Sequence, residues 1–427
     1  MAARRRNTVA RHGELSSPRP SRSILTIVGV LVAIVAVSGL SVAAFALWDS
    51  TATLQRTAVT LERDAPLPPT IGEIEGGVNL LLVGTDSCEG QDLRLFPRCG
   101  IDDDGLERND VTMLVNISDE PRRVTVVSFP RDMLVEIPSC PAEDGGRYSA
   151  MTQMPINASY GYGGLACTAL TVSNLAGMNI DFAGAIRWTG VIHMSDALGG
   201  VEVCVAGDIS DRHTGLQLTA GTHTLQGEQA LQFLRIRHGI GDGSDLARIS
   251  NQQQFMSSLM RKLQDDDTLR DPTILFSLAT TAMQQVNSGQ LVLDEGLADP
   301  TRMVQIAMAL KDVPMDDIVF VQYPTSYAPS GNPDNNLVLP LTETAEAVFA
   351  AIRANEPIEL TGEASQGDGV VVQGEDATGT TSPEPTPDPS TSATGGSAPG
   401  PTETAVALPS TVAGTTAEQG TCTVPEG

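Results

Sequence analysis

The sequence predicts one mixed α/β domain, a central β-sheet flanked by helices, carried outside the membrane behind a single N-terminal transmembrane helix. Three observations carry this expectation. An uncharged run at 23–48 (SILTIVGVLVAIVAVSGLSVAAFALW) follows six arginines. Short β-branched stretches alternate with helical ones between about 77 and 362. No aromatic residue follows Phe349 and no basic residue follows Arg353.

In chain order, 1–23 is a basic tail holding Arg4, Arg5, Arg6, Arg11, Arg19 and Arg22. Its positive charge keeps the N-terminus in the cytoplasm. The 24–48 segment is long enough to cross a ~30 Å hydrocarbon layer as a helix. The competing reading is a cleaved signal peptide with Ala44-Phe45-Ala46 as its cleavage site, but the apolar region is long for that and an uncleaved anchor is favoured. All that follows Asp49 then lies outside the cell. Residues 49–76 read as a polar stalk, in which Ala65-Pro66-Leu67-Pro68-Pro69 resists helix. The 79–83, 111–117, 124–129 and 318–323 segments read as buried strands. The 165–176, 246–263, 272–286, 300–310 and 342–353 segments read as helices. The Thr/Ser/Pro/Gly-rich end, 363–427, reads as a disordered extension unable to bury enough apolar surface to order itself.

The chain carries 26 Lys+Arg against 52 Asp+Glu. So acidic a protein is a poor candidate for nucleic acid, which requires a basic face to displace counterions. Only two of the cations are lysines, Lys262 and Lys311; a preference for arginine suits forked phosphate contacts but also follows from a GC-rich genome. Six cysteines agree with export. Cys88 with Cys99 and Cys140 with Cys167 each bracket a short loop and are the preferred bonds. Cys204 is left over, and Cys422 either tethers the chain's end or is free. No Cys/His spacing matches a zinc site.

Four segments put acidic or Arg residues where strands meet loops: Gly84-Thr85-Asp86, Arg108-Asn109-Asp110, Pro130-Arg131-Asp132, and Arg235-Ile236-Arg237-His238 with Asp245, Arg248 and Gln252 beyond it. Alternation in Arg235-Ile236-Arg237 puts both guanidinium groups on one face of an extended segment. Asp245, Arg248 and Gln252 recur at helical spacing on one face. Carboxylates with several arginines suit a pyrophosphate and a divalent cation: Arg pairs bidentately with phosphoryl oxygens, and Asp holds hard Mg²⁺.

In sequence and order, NLLLVGTD, RNDVTMLVNI, VTVVSFPRDMLVEIP, INASYGYGG, SDALGGVEV, LQGEQALQFLRIRH and GSDLARISNQQQF resemble the extracellular domain of the LytR–CpsA–Psr family, over about 78–263. The resemblance implies a membrane-anchored phosphotransferase that moves a glycopolymer, with its phosphate, from a polyprenyl-pyrophosphate carrier onto peptidoglycan. It implies that Asp86 and Asp110 hold Mg²⁺ (or Mn²⁺). Arg108, Arg131, Arg235, Arg237 and Arg248, with Gln252, grip the pyrophosphate, and Asp245 is the base that takes the acceptor proton. The 180–186 segment is a candidate for polyprenyl contact. Two other readings share these residues: a polyprenyl-pyrophosphate phosphatase, and a non-catalytic wall-binding scaffold. One departure is plain. The Arg expected two residues after Asp86 is Cys88, which opens an insertion up to Cys99; either that contact is missing, or Arg94 or Arg98 replaces it.

Overall fold

In the computed structural model, the described residues are 52–373 and 405–427, apart from 64–66, 68–69, 74–76, 97–98, 100, 102–104, 143, 265–271 and 329–335. The expected cytoplasmic tail and transmembrane helix lie outside them, as do the Pro-rich run at 383–389 and the acidic 265–267. No helix among the described residues is long and apolar enough to cross a membrane.

Strands β1 (Val78–Thr85), β2 (Asn109–Ile117) and β3 (Val124–Phe129) form an antiparallel meander at the centre of a seven-stranded sheet. Phe182–Arg187 adds parallel to β1 and Ile318–Gln322 parallel to β3; Leu291–Leu293 and Gly414–Thr416 close the two edges. All six residues of β3 are buried, because the sheet is covered on both faces. Alternate residues divide between two cores. Leu81, Val83, Val127 and Phe129 pack with Val172 and Phe349 from the helices Ala158–Ala176 and Thr342–Arg353. Leu80, Val115, Val126 and Phe320 pack with Val286 and Ile306 from Pro272–Asn287 and Pro300–Lys311. The remaining long helix, Asp245–Gln264, contributes Met256 and Met260 to that second core.

The 342–353 helix is where the sequence put it, and the other four expected helices are present, the first extended back to Ala158. Two shorter helices, Trp188–Ala197 and Gly227–Arg235, were not anticipated. The second changes the reading of Arg235-Ile236-Arg237: Arg235 ends a helix, and Ile236 beyond it is extended (φ −60°, ψ 136°). Ile236 is fully buried, so the alternation survives although the strand does not.

Two segments expected to stand apart are built into the domain. In the stalk, Leu54, Leu61 and Ile71 are buried, and Val59 pairs with the chain at 293–295. Arg63 donates to the Asp181 carbonyl and pairs with Asp294. Isolated apolar residues each find a slot here, which a polar average conceals.

The second correction concerns the chain beyond 362. Val370–Val372 and Thr421–Thr423 join Val201–Val205 and Gly221–Leu225 in a four-stranded sheet, in the order 221–225, 201–205, 421–423, 370–372. Gly414–Thr416 edges the large sheet. Cys422 lies opposite Cys204 in the parallel pairing and is bonded to it; Cys88–Cys99 and Cys140–Cys167 complete the disulfides. The disordered reading fails because each strand is three residues long, too short to register against a Thr/Pro-rich background. The domain therefore continues past 362 through the described parts of 363–427.

Asp181 sets a pH dependence. Its carboxylate accepts the Asn79 amide at 2.8 Å, and burial pushes its pKa up to about 6 against the opposing pull of that hydrogen bond and of Arg63. An unfolded Asp titrates near about 3.9. The folded state thus holds more protons between those values, so stability falls as pH rises from 4 to 6 and is level above. Asp181→Asn keeps an acceptor for Asn79 and is expected to make this slope shallower, by on the order of 1–2 kcal/mol at pH 7. Urea titrations of both proteins at pH 4.5 and 7 check it; parallel slopes would refute it.

Candidate functional site

The ends of β1 and β3, the start of β2 and the N-terminus of the 245–264 helix meet at one end of the large sheet's central strands, where ligands gather in open α/β sheets. Asp86 follows β1 directly. Its carboxylate accepts the Arg108 amide at 2.7 Å, and its own amide donates to the Arg108 carbonyl at 3.1 Å, so the two turns are tied together. Asn109, fully buried, donates to Thr112 at 2.7 Å and accepts the Tyr160 amide, which fixes the backbone from which Asp110 projects.

Arg131, carried past β3 by Pro130, is the hub. Its Nη1 donates to Asp110 Oδ1 at 2.7 Å, its Nε lies 3.3 Å from Asp132 and 3.7 Å from Asp245, and its amide donates to Asp245 Oδ2. Arg248 reaches Asp245 at 2.5 Å and the Asp110 carbonyl at 3.1 Å. Burial alone would raise Asp110, but Arg248 and Arg131 outweigh it and hold the carboxyl below its ordinary range. Burial likewise opposes the charge on Arg131, and Asp110, Asp245 and Asp132 overcome it, raising that guanidinium above its usual value. Burial raises Asp132, Arg131 resisting and Asp245 adding to the rise.

Arg235 and Arg237 are different. Neither side chain has a hydrogen bond or an ion pair among the described residues, and Arg237 Nε is buried without a partner. Burial lowers both guanidinium pKa values, which Asp110 opposes for Arg235 and Asp245 for Arg237. Arg235 rests instead on an aromatic face, its Cζ 4.0 Å from the centre of the Trp188 ring. Two half-buried cations without an anion of their own form a site prepared for one brought by a ligand.

Beside them a cavity of about 360 Å³ opens, its walls almost wholly apolar, from Leu82 and Met113 on the sheet to Val191, Leu231 and Phe255 on the helices. Asp110, Arg235, Arg248 and Gln252 stand among its lining as polar groups, with the hydroxyl residues Thr85 and Ser195. The cavity thus joins an oily interior to a cationic end. Of the 180–186 segment, Gly184, Ala185 and Ile186 line it, whereas Ile180 and Phe182 are core residues. A small notch is lined by Pro130, Asp132, Ser244, Asp245 and the exposed Tyr327 among others.

Residues 45–350 match the LytR_cpsA_psr family. The chain belongs to that family. Among curated relatives, the cell wall biosynthesis protein LcpA of Corynebacterium glutamicum is 28% identical over 277 residues, covering 59% of this chain and 51% of LcpA. The polyisoprenyl-teichoic acid–peptidoglycan teichoic acid transferase TagU of Enterococcus faecalis is 27% identical over 234 residues, covering 55% of this chain and 68% of TagU. The chain spans about half the length of LcpA. A LytR-Csp2A-Psr enzyme from Actinomyces oris superposes with a TM-score of 0.49 at 22% identity, covering 69% of this chain and 95% of the other.

Of the residues singled out in this LytR_cpsA_psr chain, Asp110, Arg131, Asp245 and Arg248 converge through the contacts above, and Asp86 stands in the field of Asp110. Arg235 and Arg237 stand in the field of the same carboxylates. Arg108 holds Asp86 through its backbone. Gln252 lines the cavity and donates to the Leu234 carbonyl at 2.9 Å, securing the end of the 227–235 helix. The proposed replacement Arg94 is not at the site: its side chain is 90% exposed and paired with its neighbour Asp92. Arg98 lies outside the described residues. His238 stacks on His213, their ring centres 4.4 Å apart. Sequence reasoning passed over Asp132, which carried no role in the Pro-Arg-Asp segment, and Trp188, whose only signal was being the sole tryptophan after Trp48.

Proposed function

We propose that this LytR_cpsA_psr chain is a phosphotransferase that moves a glycopolymer, with its phosphate, from a polyprenyl-pyrophosphate carrier onto peptidoglycan, anchored in the membrane by its 24–48 segment. The observation that carries the reading is the pair of half-buried guanidinium groups, Arg235 and Arg237, without a carboxylate partner, Arg235 lining an apolar cavity. A lipid pyrophosphate matches both halves: its isoprenoid chain suits the cavity and its phosphates suit the arginines.

The chemistry follows from the placement. The acceptor hydroxyl oxygen attacks the phosphorus nearer the sugar, the bond from that phosphorus to the bridging oxygen breaks, and polyprenyl phosphate leaves. Arg131, Arg235, Arg237 and Arg248 bind and orient the phosphoryl oxygens and offset charge as it shifts towards the leaving group. The acceptor proton passes to a carboxylate beside Arg131. Asp245 is held by two arginines, whereas burial lifts Asp132 towards the pH at which a base is effective, so Asp132 joins Asp245 as a candidate for that role.

Asp86 and Asp110 suit Mg²⁺ or Mn²⁺. Burial and the neighbouring Asp110 charge push the Asp86 carboxyl up to about 6, a repulsion that a hard cation among oxygen donors relieves. No group of three or more His, Cys, Asp or Glu suited to a metal occurs among the described residues, so water and phosphate oxygens would complete the shell. When bound, the ion would neutralise charge on the pyrophosphate.

Incubation with a polyprenyl-pyrophosphate-linked glycan, with and without peptidoglycan, tests the proposal. Polyprenyl phosphate and a wall-linked phosphodiester are expected together, only when acceptor is present. Equal release of polyprenyl phosphate without acceptor would instead make the protein a hydrolase, and no release in either case would leave a binding protein.

A further inference from the structure

Between Cys88 and Cys99 the chain makes a disulfide-closed loop off the end of β1. Its Leu93 and Leu95 are exposed, but Phe96 is turned inward and only 7% exposed. Phe96 forms a small cluster with Ile192 and Leu231, separate from the main cores and packed against Trp188 and Val191. The Phe96 and Trp188 rings lie 4.8 Å apart at 35°. Trp188 also lines the cavity and presents a face to the Arg235 guanidinium at 4.0 Å. The loop is fastened a second time where the tryptophan's helix begins: Gln91 Oε1 accepts from the hydroxyl of Thr189 at 2.5 Å and from its amide at 3.3 Å, while Gln91 Nε2 donates to Gln290 at 2.9 Å. Ring and backbone of the 188–189 pair are therefore both held by the loop.

Arg235 has no carboxylate to fix its position, so the aromatic face is what restrains it. A guanidinium over an indole gains most when the ring is held and shielded from water. Phe96, which is not among the cavity's lining residues, provides this shielding.

We infer that the 88–99 loop is a positioning element for the phosphate-binding end of the cavity: Phe96 braces Trp188, and Trp188 holds the Arg235 guanidinium where a lipid pyrophosphate meets it. Phe96 itself touches no ligand. The inference rests on the pyrophosphate reading above for its ligand, but not for the brace.

The chain has two tryptophans, so Trp48→Phe in the full-length protein leaves Trp188 as its only indole. Without ligand, Phe96→Ala is expected to raise acrylamide quenching of Trp188 at least twofold. Arg235→Met should shift Trp188 emission in the parent and leave it unmoved in the Phe96→Ala protein. With geranyl pyrophosphate as probe, Phe96→Ala should weaken binding about tenfold when Arg235 is present and less than twofold when it is methionine. Phe96→Leu, which fills the cluster without an aromatic face, should fall between parent and Phe96→Ala, and serves if the alanine protein melts early. Unchanged quenching, or equal weakening in both Arg235 backgrounds, overturns the inference, because a merely structural residue would act independently of Arg235. Intact ligand-free coupling with no binding of the probe by the parent would refute the pyrophosphate reading and leave the brace standing.

Discussion

Replacing Arg235 and Arg237 together by alanine is expected to lower transfer by about 10³-fold or more while leaving the melting temperature unchanged or higher. The two effects have one origin. Burial lowers both guanidinium pKa values, and neither group has a carboxylate partner to offset the loss of water. Each charge is therefore a cost to the ligand-free fold that only an incoming anion recovers. Truncation removes that cost, against a smaller loss of stem packing and of the Trp188 contact. Arg131→Ala should differ: it strips a partner from Asp110, Asp132 and Asp245 at once, so activity and stability should fall together. Transfer rates and melting curves on the same preparations separate the cases. A double variant that transfers at the parental rate would remove both arginines from the site.

The second large effect concerns the far end of the chain. A protein ending at residue 404 is expected to lose on the order of 5 kcal/mol or more, comparable with the whole stability of many domains. The loss includes Leu408, Val412 and Ala417, all fully or nearly fully buried, and the edge strand beside 318–322. It also reaches the unusually polar buried face of the 245–264 helix. Thr423 Oγ1 lies 2.5 Å from both Asn251 Oδ1 and Gln254 Oε1, which share its single proton, and Gln254 Nε2 donates to the carbonyls of Cys204 and Thr421. Without those partners, buried amides on the helix that carries Asp245 and Arg248 are orphaned. Thr423→Val isolates this contribution, keeping Cys422 and the strand; about 2 kcal/mol is expected from the unsatisfied oxygens. Urea midpoints measure both. A truncated protein as stable as the parent would mean that 405–427 merely decorates the domain.

Legibility in the sequence followed the length and regularity of each signal. Val124–Phe129 is visible because six consecutive residues favour a doubly covered strand. Thr342–Arg353 is visible because its apolar residues keep helical spacing up to Arg353. The arginines and aspartates were visible as an ordered series of motifs, and they meet at one end of the sheet's central strands. The three-residue strands at 414–416 and 421–423 have no measurable period, and their Thr/Ser/Pro/Gly surroundings argued for the opposite. The stalk's buried leucines were hidden in the same way. Trp188 under Arg235 could not be read at all: the contact joins the start of one short helix to the end of another, and nothing local to either residue announces it.

Thr421–Thr423 completes its sheet by lying parallel to Val201–Val205, with bonded cysteines 218 positions apart. A growing polypeptide therefore carries the arginine-bearing loop and the 245–264 helix long before it possesses the strand that satisfies their buried amides. Glu426, which accepts the Gly239 amide at 2.7 Å, arrives later still, two residues from Arg237. A prematurely terminated product would hold every motif residue and yet lack the strand and the disulfide that complete the second sheet.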